Sequence, residues 1–304
     1  MDEGRRFVVV VRAGEASLHR QWLKGGNRSW DLIVSWYGDS PYECTADETV
    51  IRIKGGKGDG LAATFAALPE LLGRYEYFWL PDDDIETDNE TICALFDIAS
   101  TEGLAVCQPS LTHDSYFSYL HTLQSPSFRL RYSSFVEVMV PCLSREHLQR
   151  VLPYFERNPS AFGVDWIWTR LDPDNRYRAA IVDAIAVRHT RPVGVFLHER
   201  IRGRGEDPAA REREIFAAFG IAQPDTGFAC YGGRRRGSGR PSGPLATRLL
   251  MAQDYLANIR SWKTKKPWKR AWRLFRKSTA SLDQLTPIGR PAPEDCRMKS
   301  GRRG

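Results

Sequence analysis

The sequence predicts an α/β fold, a single domain with a mainly parallel central sheet flanked by helices, followed by a basic helical C-terminal tail. Three observations carry that prediction. Apolar or aromatic runs of strand length alternate with stretches at helical spacing as far as Ser110, the pattern of strands joined by crossover helices. The stretch "KGGKGDG" opens one helix and three adjacent aspartates close one strand, so both fall at the carboxyl edge where parallel sheets bind ligands. The formal net charge is +7, yet from Gly233 onward 19 Lys/Arg stand against 4 Asp/Glu, leaving the rest net negative.

Phe7 to Val11 reads as a buried first strand, β-branched and continuous. Leu18 to Leu23 follows as a short helix. Trp30 to Gly38 and Thr49 to Ile53 are strands two and three. "LAATFAALPELLGRY" is a helix and "YFWL" the next strand; Thr91 to Gly103 is a helix and "LAVCQPS" a strand. Farther on, "SFVEVMVPCLS" reads as a strand, "REHLQRVLPYF" as a helix, "GVDWIWTRL" as a helix starting after Gly163, and "AAIVDAIAVRH" as a strand ending at His189. "REREIFAAFG" is a helix closed by Gly220. These elements assign 1–231 to one catalytic domain. Residues 232–244, rich in Gly, Arg and Ser, read as a linker, and 245–304 as a basic amphipathic helical tail, disordered toward its end.

Composition is that of a globular protein, 42% hydrophobic and 27% charged. No uncharged apolar run approaches the roughly 18 residues of a membrane-spanning helix, and the short valine run near the N-terminus is no signal peptide. The six cysteines have no close spacing in sequence, which argues against a zinc site or a disulfide framework and for a reducing, cytoplasmic setting.

Asp82, Asp83 and Asp84 repel one another, and they follow a buried aromatic strand. A hard cation reconciles the two facts, because Mg²⁺ or Mn²⁺ is held by one or two carboxylates together with substrate phosphates. The D-x-D spacing lets Asp82 and Asp84 converge while Asp83 points elsewhere. The competing explanation is an acidic turn and helix cap running into Asp88. His189, at the end of its strand, is a further metal-ligand candidate; on its own it is a core histidine. Asp165 either caps the helix after Gly163 or acts as a general base. Trp166 and Trp168 beside it suit a sugar ring or the core. Lys57 and Gly58 belong to a loop able to offer backbone N–H groups and a cation to a phosphate, although it lacks the Lys-Ser/Thr pair of a Walker loop. Glu137 reads as an acceptor contact or a surface glutamate. His113, Asp114, Ser115 and His121 read as lid or acceptor-side residues.

Taken together the chain resembles glycosyltransferases of the GT-A fold, which pair a nucleotide-binding half with a D-x-D motif, a catalytic Asp at a helix start and a later metal-bound His. The matching positions are Asp82 and Asp84, Asp165 and His189. More closely it resembles the domain-of-unknown-function family 707, through "VVVRAGEASLHRQWL", "IRIKGGKGDGL", "YFWLPDDDIE", "CQPSLTHDSYFSYLHTL", "LRYSSFVEVMVPCLS", "GVDWIW" and "VDAIAVRHTRPVG". The resemblance spans Phe7 to Gly194 and not the tail. It implies a nucleotide-diphosphate sugar as donor, a glycan or lipid-linked acceptor, and Mn²⁺ or Mg²⁺ on Asp82, Asp84 and His189. Lys57, Gly58 and Asp82 would hold the nucleotide, Glu137 and Trp166 the acceptor, and Asp165 would act as base with inversion at the anomeric carbon. The alternative is a non-catalytic nucleotide- or glycan-binding protein on the same fold.

In the tail, Leu245, Leu249, Leu256 and Ile259 fall on one helical stripe, and Trp268, Trp272 and Phe275 on another, among many Lys and Arg. That is the pattern of a helix lying in anionic headgroups, and it predicts peripheral attachment at the inner face of a membrane. Packing of these aromatics on the catalytic domain is the alternative. Nucleic acid is less favoured, since no recognised nucleic-acid module accompanies the charge.

Overall fold

The computed structural model describes residues 4–156, 158–171, 177–193, 208–219 and 230–277. Its centre is one large sheet. The strands are β1 (Phe7–Ala13), β2 (Trp30–Trp36), β3 (Thr49–Arg52), β4 (Tyr77–Trp79), β5 (Ile85–Glu86), β6 (Val106–Leu111), β7 (Phe128–Ser133), β8 (Cys142–Ser144), β9 (Ala179–His189), β10 (Cys230–Arg235) and β11 (Pro241–Ser242). Across the sheet the order is β11-β10-β7-β9-β6-β8-β4-β1-β2-β3, with β5 paired to β9 off this path.

The sheet is mixed, which corrects the mainly parallel expectation. β1 to β4 are parallel neighbours, and β6 runs parallel to β9. β8 is inserted antiparallel between β4 and β6, and β7 and β10 add an antiparallel half. β7 was absent from the sequence reading. Its segment, FRLRYS, alternates apolar and charged residues, and one charged residue, Arg131, turns inward. Residues 134–141, expected as strand, form an irregular buried crossing before β8.

Both faces of the parallel half are covered, so β1 is buried throughout and apolar except for Arg12. Alternate side chains serve opposite cores. Val8 and Val10 join Phe78 and the helices α1 (Gly58–Ala67) and α4 (Arg145–Phe155) on one face. Val9 and Val11 join Trp22, Trp30, Trp79 and helix α3 (Asn89–Thr101) on the other. Between α1 and α3, α2 is a single turn, Leu71–Arg74, following Pro69. Each fully buried aliphatic or aromatic side chain here contributes about 1.5–3 kcal/mol. The buried tryptophans also satisfy their N–H groups, Trp22 on the Ile85 carbonyl at 2.8 Å and Trp168 on that of Val136 at 2.9 Å.

Three short elements complete the described chain before the tail: α5 (Val164–Ile167), α6 (Pro208–Ala218) and the β10–β11 hairpin. The hairpin occupies 230–242, so the stretch read as a linker is the edge of the sheet. Gly237 and Gly239, with φ of +77° and +62°, make its turn. Gly233 lets Phe128 approach, since a Cβ would stand 2.8 Å from that ring. The tail is helical in α7 (Pro244–Asn258) and α8 (Pro267–Lys277). Thr247, Met251 and Tyr255 form the buried face of α7, and Ile259 and Trp262 follow them into the core. The predicted Leu245–Leu249–Leu256–Ile259 stripe therefore divides, because only Ile259 is buried. Phe275 and the segment 278–304 lie outside the side chains and residues described.

Candidate active site

The carboxyl ends of β1, β2, β3 and β4 share one edge, and β4 delivers the three aspartates there. Asp88, not one of the three, caps α3, accepting from the Thr91 N–H at 2.8 Å. The acidic run is thereby not explained as a helix cap.

The three carboxylates have three different settings. Asp83 is buried and works as a clasp. Its Oδ2 accepts from the Gly14 N–H and the Tyr37 hydroxyl, each at 3.0 Å, and its Oδ1 lies 3.2 Å from Arg191 Nη1. It so ties together the chain after β1, after β2 and after β9. Burial, opposed by those donors, raises its pKa. Tyr37 and Arg191 escaped the sequence reading; the only signal for Arg191 is its place two residues after His189.

Asp84 meets His189. The short antiparallel pairing of β5 with β9 sets Ile85 opposite His189, and Thr190 donates its N–H and hydroxyl to the Asp84 carbonyl at 3.2 and 2.8 Å. Asp84 Oδ2 then lies 3.2 Å from His189 Nε2. The other ring nitrogen, Nδ1, donates to the Tyr116 carbonyl at 2.8 Å, which leaves Nε2 facing the carboxylate. The histidine pKa is raised: burial pulls it down, and the Asp84 carboxylate outweighs that. Asp84 Oδ1 is buried with no hydrogen-bond partner among the described residues.

Asp82 points to Lys57, whose ammonium lies 2.5 Å from Oδ1 and also donates to the Met139 carbonyl at 3.0 Å. Burial raises its pKa against the pull of Lys57, and Asp84 adds to the rise. The side chain still keeps 38% of its surface exposed, so water screens part of that effect. Among the described residues no group of three or more His, Cys, Asp or Glu is arranged to hold a metal. The expected set of Asp82, Asp84 and His189 is present as a pair plus a salt-bridged neighbour. The pair itself fits a divalent cation: it offers one oxygen and one imidazole nitrogen, the oxygen Oδ1 lacks a partner, and the histidine is oriented by a carbonyl through its far nitrogen, as metal-bound histidines are.

The glycine-rich loop differs from the phosphate cradle expected. The Gly58 N–H donates to the Pro159 carbonyl at 3.0 Å, and those of Gly56 and Gly60 donate to Asp59 Oδ1 at 2.7 and 2.8 Å. A Cβ on Gly58 would stand 2.0 Å from the Asn158 carbonyl oxygen, and one on Gly56 2.1 Å from that of Pro159. These glycines are there because the loop packs backbone to backbone against 158–161. Buried Arg12 locks it from below, donating to the carbonyls of Ile53, Gly55 and Gly56. Of the loop, only Lys57 reaches the acidic cluster.

Asp165 is buried as the second residue of α5. Gly163 occupies the cap, with φ +86° and no side-chain cap bond, so the capping explanation for Asp165 fails. The backbone N–H groups of Asp165 and Val138 exert a weaker, opposing pull on its pKa, and Oδ1 has no hydrogen-bond partner among the described residues. Glu137, the neighbour of Val138, is also buried, which corrects its reading as a surface glutamate, and its Oε2 likewise has no partner. Burial, then Glu137, pushes the Asp165 pKa well up, and burial lifts Glu137 to about 7. Glu137 also feels His189, Asp82 and Lys57, and Asp165 in turn feels Glu137. Tyr119 joins them; burial, with Asp165 and Glu137, raises its pKa. Trp166 is half-buried, edge-on to Phe135 at 5.2 Å and donating to Glu212 Oε1 at 3.1 Å, whereas Trp168 is core.

The residues read as a lid are packed in place. Ser115 Oγ accepts from the His189 N–H at 3.2 Å, Asp114 pairs with Arg188 at 2.8 Å, and His113 accepts from Trp262 Nε1 at 3.0 Å. His121 is wholly buried, and burial lowers its pKa to about 3.

No protein-family model matches the chain, and no curated protein matches it. Solved structures do. S. aureus TarS residues 1–349 superpose with a TM-score of 0.42 at 12% identity, over 90% of this chain and 89% of that one. The longer S. aureus TarS gives 0.44 at 12%, over 92% and 54%. TarS 1–349 in complex with UDP-GlcNAc gives 0.43 at 10%, over 90% and 89%. Superposition at this level decides neither family nor chemistry.

Proposed function

We propose that the protein is a glycosyltransferase that moves a sugar from a nucleotide-diphosphate donor to an acceptor hydroxyl, on a GT-A-like fold. One observation carries the reading. The strand ends carry an Asp84–His189 pair and an Asp82–Lys57 pair whose charges reach the buried carboxyl of Glu137 and, through it, that of Asp165, and three of these carboxyls each hold an oxygen with no hydrogen-bond partner among the described residues. Burying carboxylates without partners costs several kcal/mol, and a site that receives a cation and a substrate hydroxyl is where that cost recurs.

Mn²⁺ or Mg²⁺ would be held by Asp84 and His189 and, when bound, supplies positive charge for the departing nucleoside diphosphate. Lys57 brings a second cation to the same edge, and Asp82 holds its ammonium in place. Asp165 takes the proton of the acceptor hydroxyl. The acceptor oxygen then forms its bond to the anomeric carbon while the bond to the diphosphate oxygen breaks, and the diphosphate leaves with the electron pair. Attack from the face opposite the leaving group inverts the centre. Burial and the charge of Glu137 raise the Asp165 carboxyl; a carboxylate raised in this way binds the acceptor proton more tightly than a surface one. Trp166 offers an aromatic face to the acceptor.

The test is a screen of nucleotide-sugar hydrolysis and nucleotide binding with Mn²⁺, comparing the wild-type chain with Asp84→Ala. The expected result is metal-dependent binding that Asp84→Ala weakens by about 10–100-fold. Absence of metal-dependent nucleotide binding sinks the proposal. Binding with neither transfer nor hydrolysis favours a nucleotide- or glycan-binding protein, a reading to which the existing Asp82–Lys57 pairing lends some weight.

A further inference from the structure

The tail is not explained by the site. Residues 244–277 hold ten Lys/Arg and one acidic residue, Asp254. That carboxylate faces the core, accepting from Ser125 Oγ, from the Ser127 N–H at 3.1 Å and from Ser127 Oγ at 2.9 Å. Helix α7 spends its inner face on Thr247, Met251 and Tyr255, yet it also carries Leu245, Leu249 and Leu256, all exposed. Helix α8 packs beside it and leaves Trp268 and Trp272 exposed at 65% and 63%. Two large aromatics a helical turn apart, ringed by exposed Lys265, Lys266 and Lys269, are costly in water unless something covers them.

We propose that α7 and α8 dock the protein on an anionic lipid bilayer, with Trp268 and Trp272 seated at headgroup depth and the lysines on lipid phosphates. Charge complementarity selects the occupant: cations around an apolar stripe match a surface that is anionic outside and apolar beneath. A nucleic-acid backbone satisfies the lysines alone and leaves the leucines and tryptophans in water. The tail is also fixed to the body that carries the aspartate cluster. Trp262 is buried against His113 and Phe117, while Lys263 and Arg270 lie over the rings of Tyr116 and Phe117 at 4.5 and 5.2 Å. Tyr116 is the residue whose carbonyl orients His189. Docking thus holds the aspartate cluster in one orientation to the bilayer, whatever chemistry that cluster performs.

The test is sedimentation of the full chain with vesicles of phosphatidylcholine alone and with vesicles also containing phosphatidylglycerol, with a random-sequence DNA duplex as competitor. Two double variants accompany it, Trp268→Ser with Trp272→Ser and Lys265→Glu with Lys266→Glu. All four positions are exposed, so folding, followed by circular dichroism, should be kept. The expected result is binding to the anionic vesicles only, weakened by salt and by about tenfold or more in each double variant. No binding to anionic vesicles at low salt overturns the proposal. Binding indifferent to the tryptophans overturns it too, as does DNA that displaces the vesicles and binds in a tryptophan-dependent way. None of these readouts involves nucleotide, metal or sugar transfer, so this proposal and the assignment of the site fail separately.

Discussion

Two buried charge clusters in this sheet use the same chemical groups to opposite ends. In the antiparallel half, Arg131 and Asp183 are fully buried on neighbouring strands. All five guanidinium N–H groups are used: Asp183 takes two, and the His121 carbonyl, the Leu123 carbonyl and the Tyr255 hydroxyl take the others, at 2.7–3.0 Å. The Asp183 carboxylate gains a further bond from the Ser125 N–H at 2.8 Å. At the end of β4 and in the segments 134–141 and α5, Asp84, Glu137 and Asp165 each keep a buried oxygen without a hydrogen-bond partner among the described residues. A saturated cluster stabilises and orders a fold; an unsaturated one stores electrostatic free energy that a ligand can release.

The largest expected effect breaks the unsaturated side. Asp165→Asn should lower transfer from whichever donor the wild type turns over by about 10²–10⁴-fold, with thermal stability unchanged or higher, because a buried carboxyl is neutralised. Loss of stability with activity intact would make Asp165 structural. On the saturated side the outcome is reversed. Asp183→Ala leaves Arg131 buried and unpaired, which should cost about 3–5 kcal/mol in denaturant unfolding, whereas Arg131→Met with Asp183→Leu together should cost far less.

Glu137 sharpens the comparison through pH. Its pKa is raised from 4.5 to about 7 on folding. Its contribution to stability is therefore complete below the unfolded value and lost as pH rises through the folded one. The wild-type chain should lose up to about 3 kcal/mol between these limits from this group, and Glu137→Gln should remove that slope, so that the variant is the more stable at pH 8. Urea midpoints at pH 5 and pH 8 read this directly. The smallest effect concerns the loop: Gly58→Ala should destabilise by about 1–3 kcal/mol through overpacking on Asn158, while nucleotide affinity of the folded protein stays the same. A loss of affinity without a loss of stability would restore the phosphate-cradle reading.

The fold was legible where local pattern and burial agree. The valine run of β1, the "YFWL" strand and the α3 helix are locally apolar at the right spacing, and they form where expected. β7 was not legible, since its inward residue is an arginine and only a partner 52 residues away makes that tolerable. The linker reading of 232–244 fails for a related reason: its glycines suggest flexibility, whereas Gly232 and Gly233 pair with β7 and Gly237 and Gly239 turn the hairpin. At the site, residue types were legible and pairings were not. Asp83, set aside as a spacer, proves the best-anchored of the three aspartates.

By itself the sequence determined the composition of each strand, the position of three carboxylates at the end of one of them, and the excess of cations in the tail, because each is set by neighbours within a few residues. Only the tertiary structure decided that Asp84 lies beside His189, that Asp82 is held by Lys57, that Gly58 is buried against 158–161, and that Leu245, Leu249 and Leu256 of α7 face outward while its tyrosine reaches Arg131. Each of those rests on strand register or on packing between segments 25 to 124 residues apart, and no local preference encodes a register.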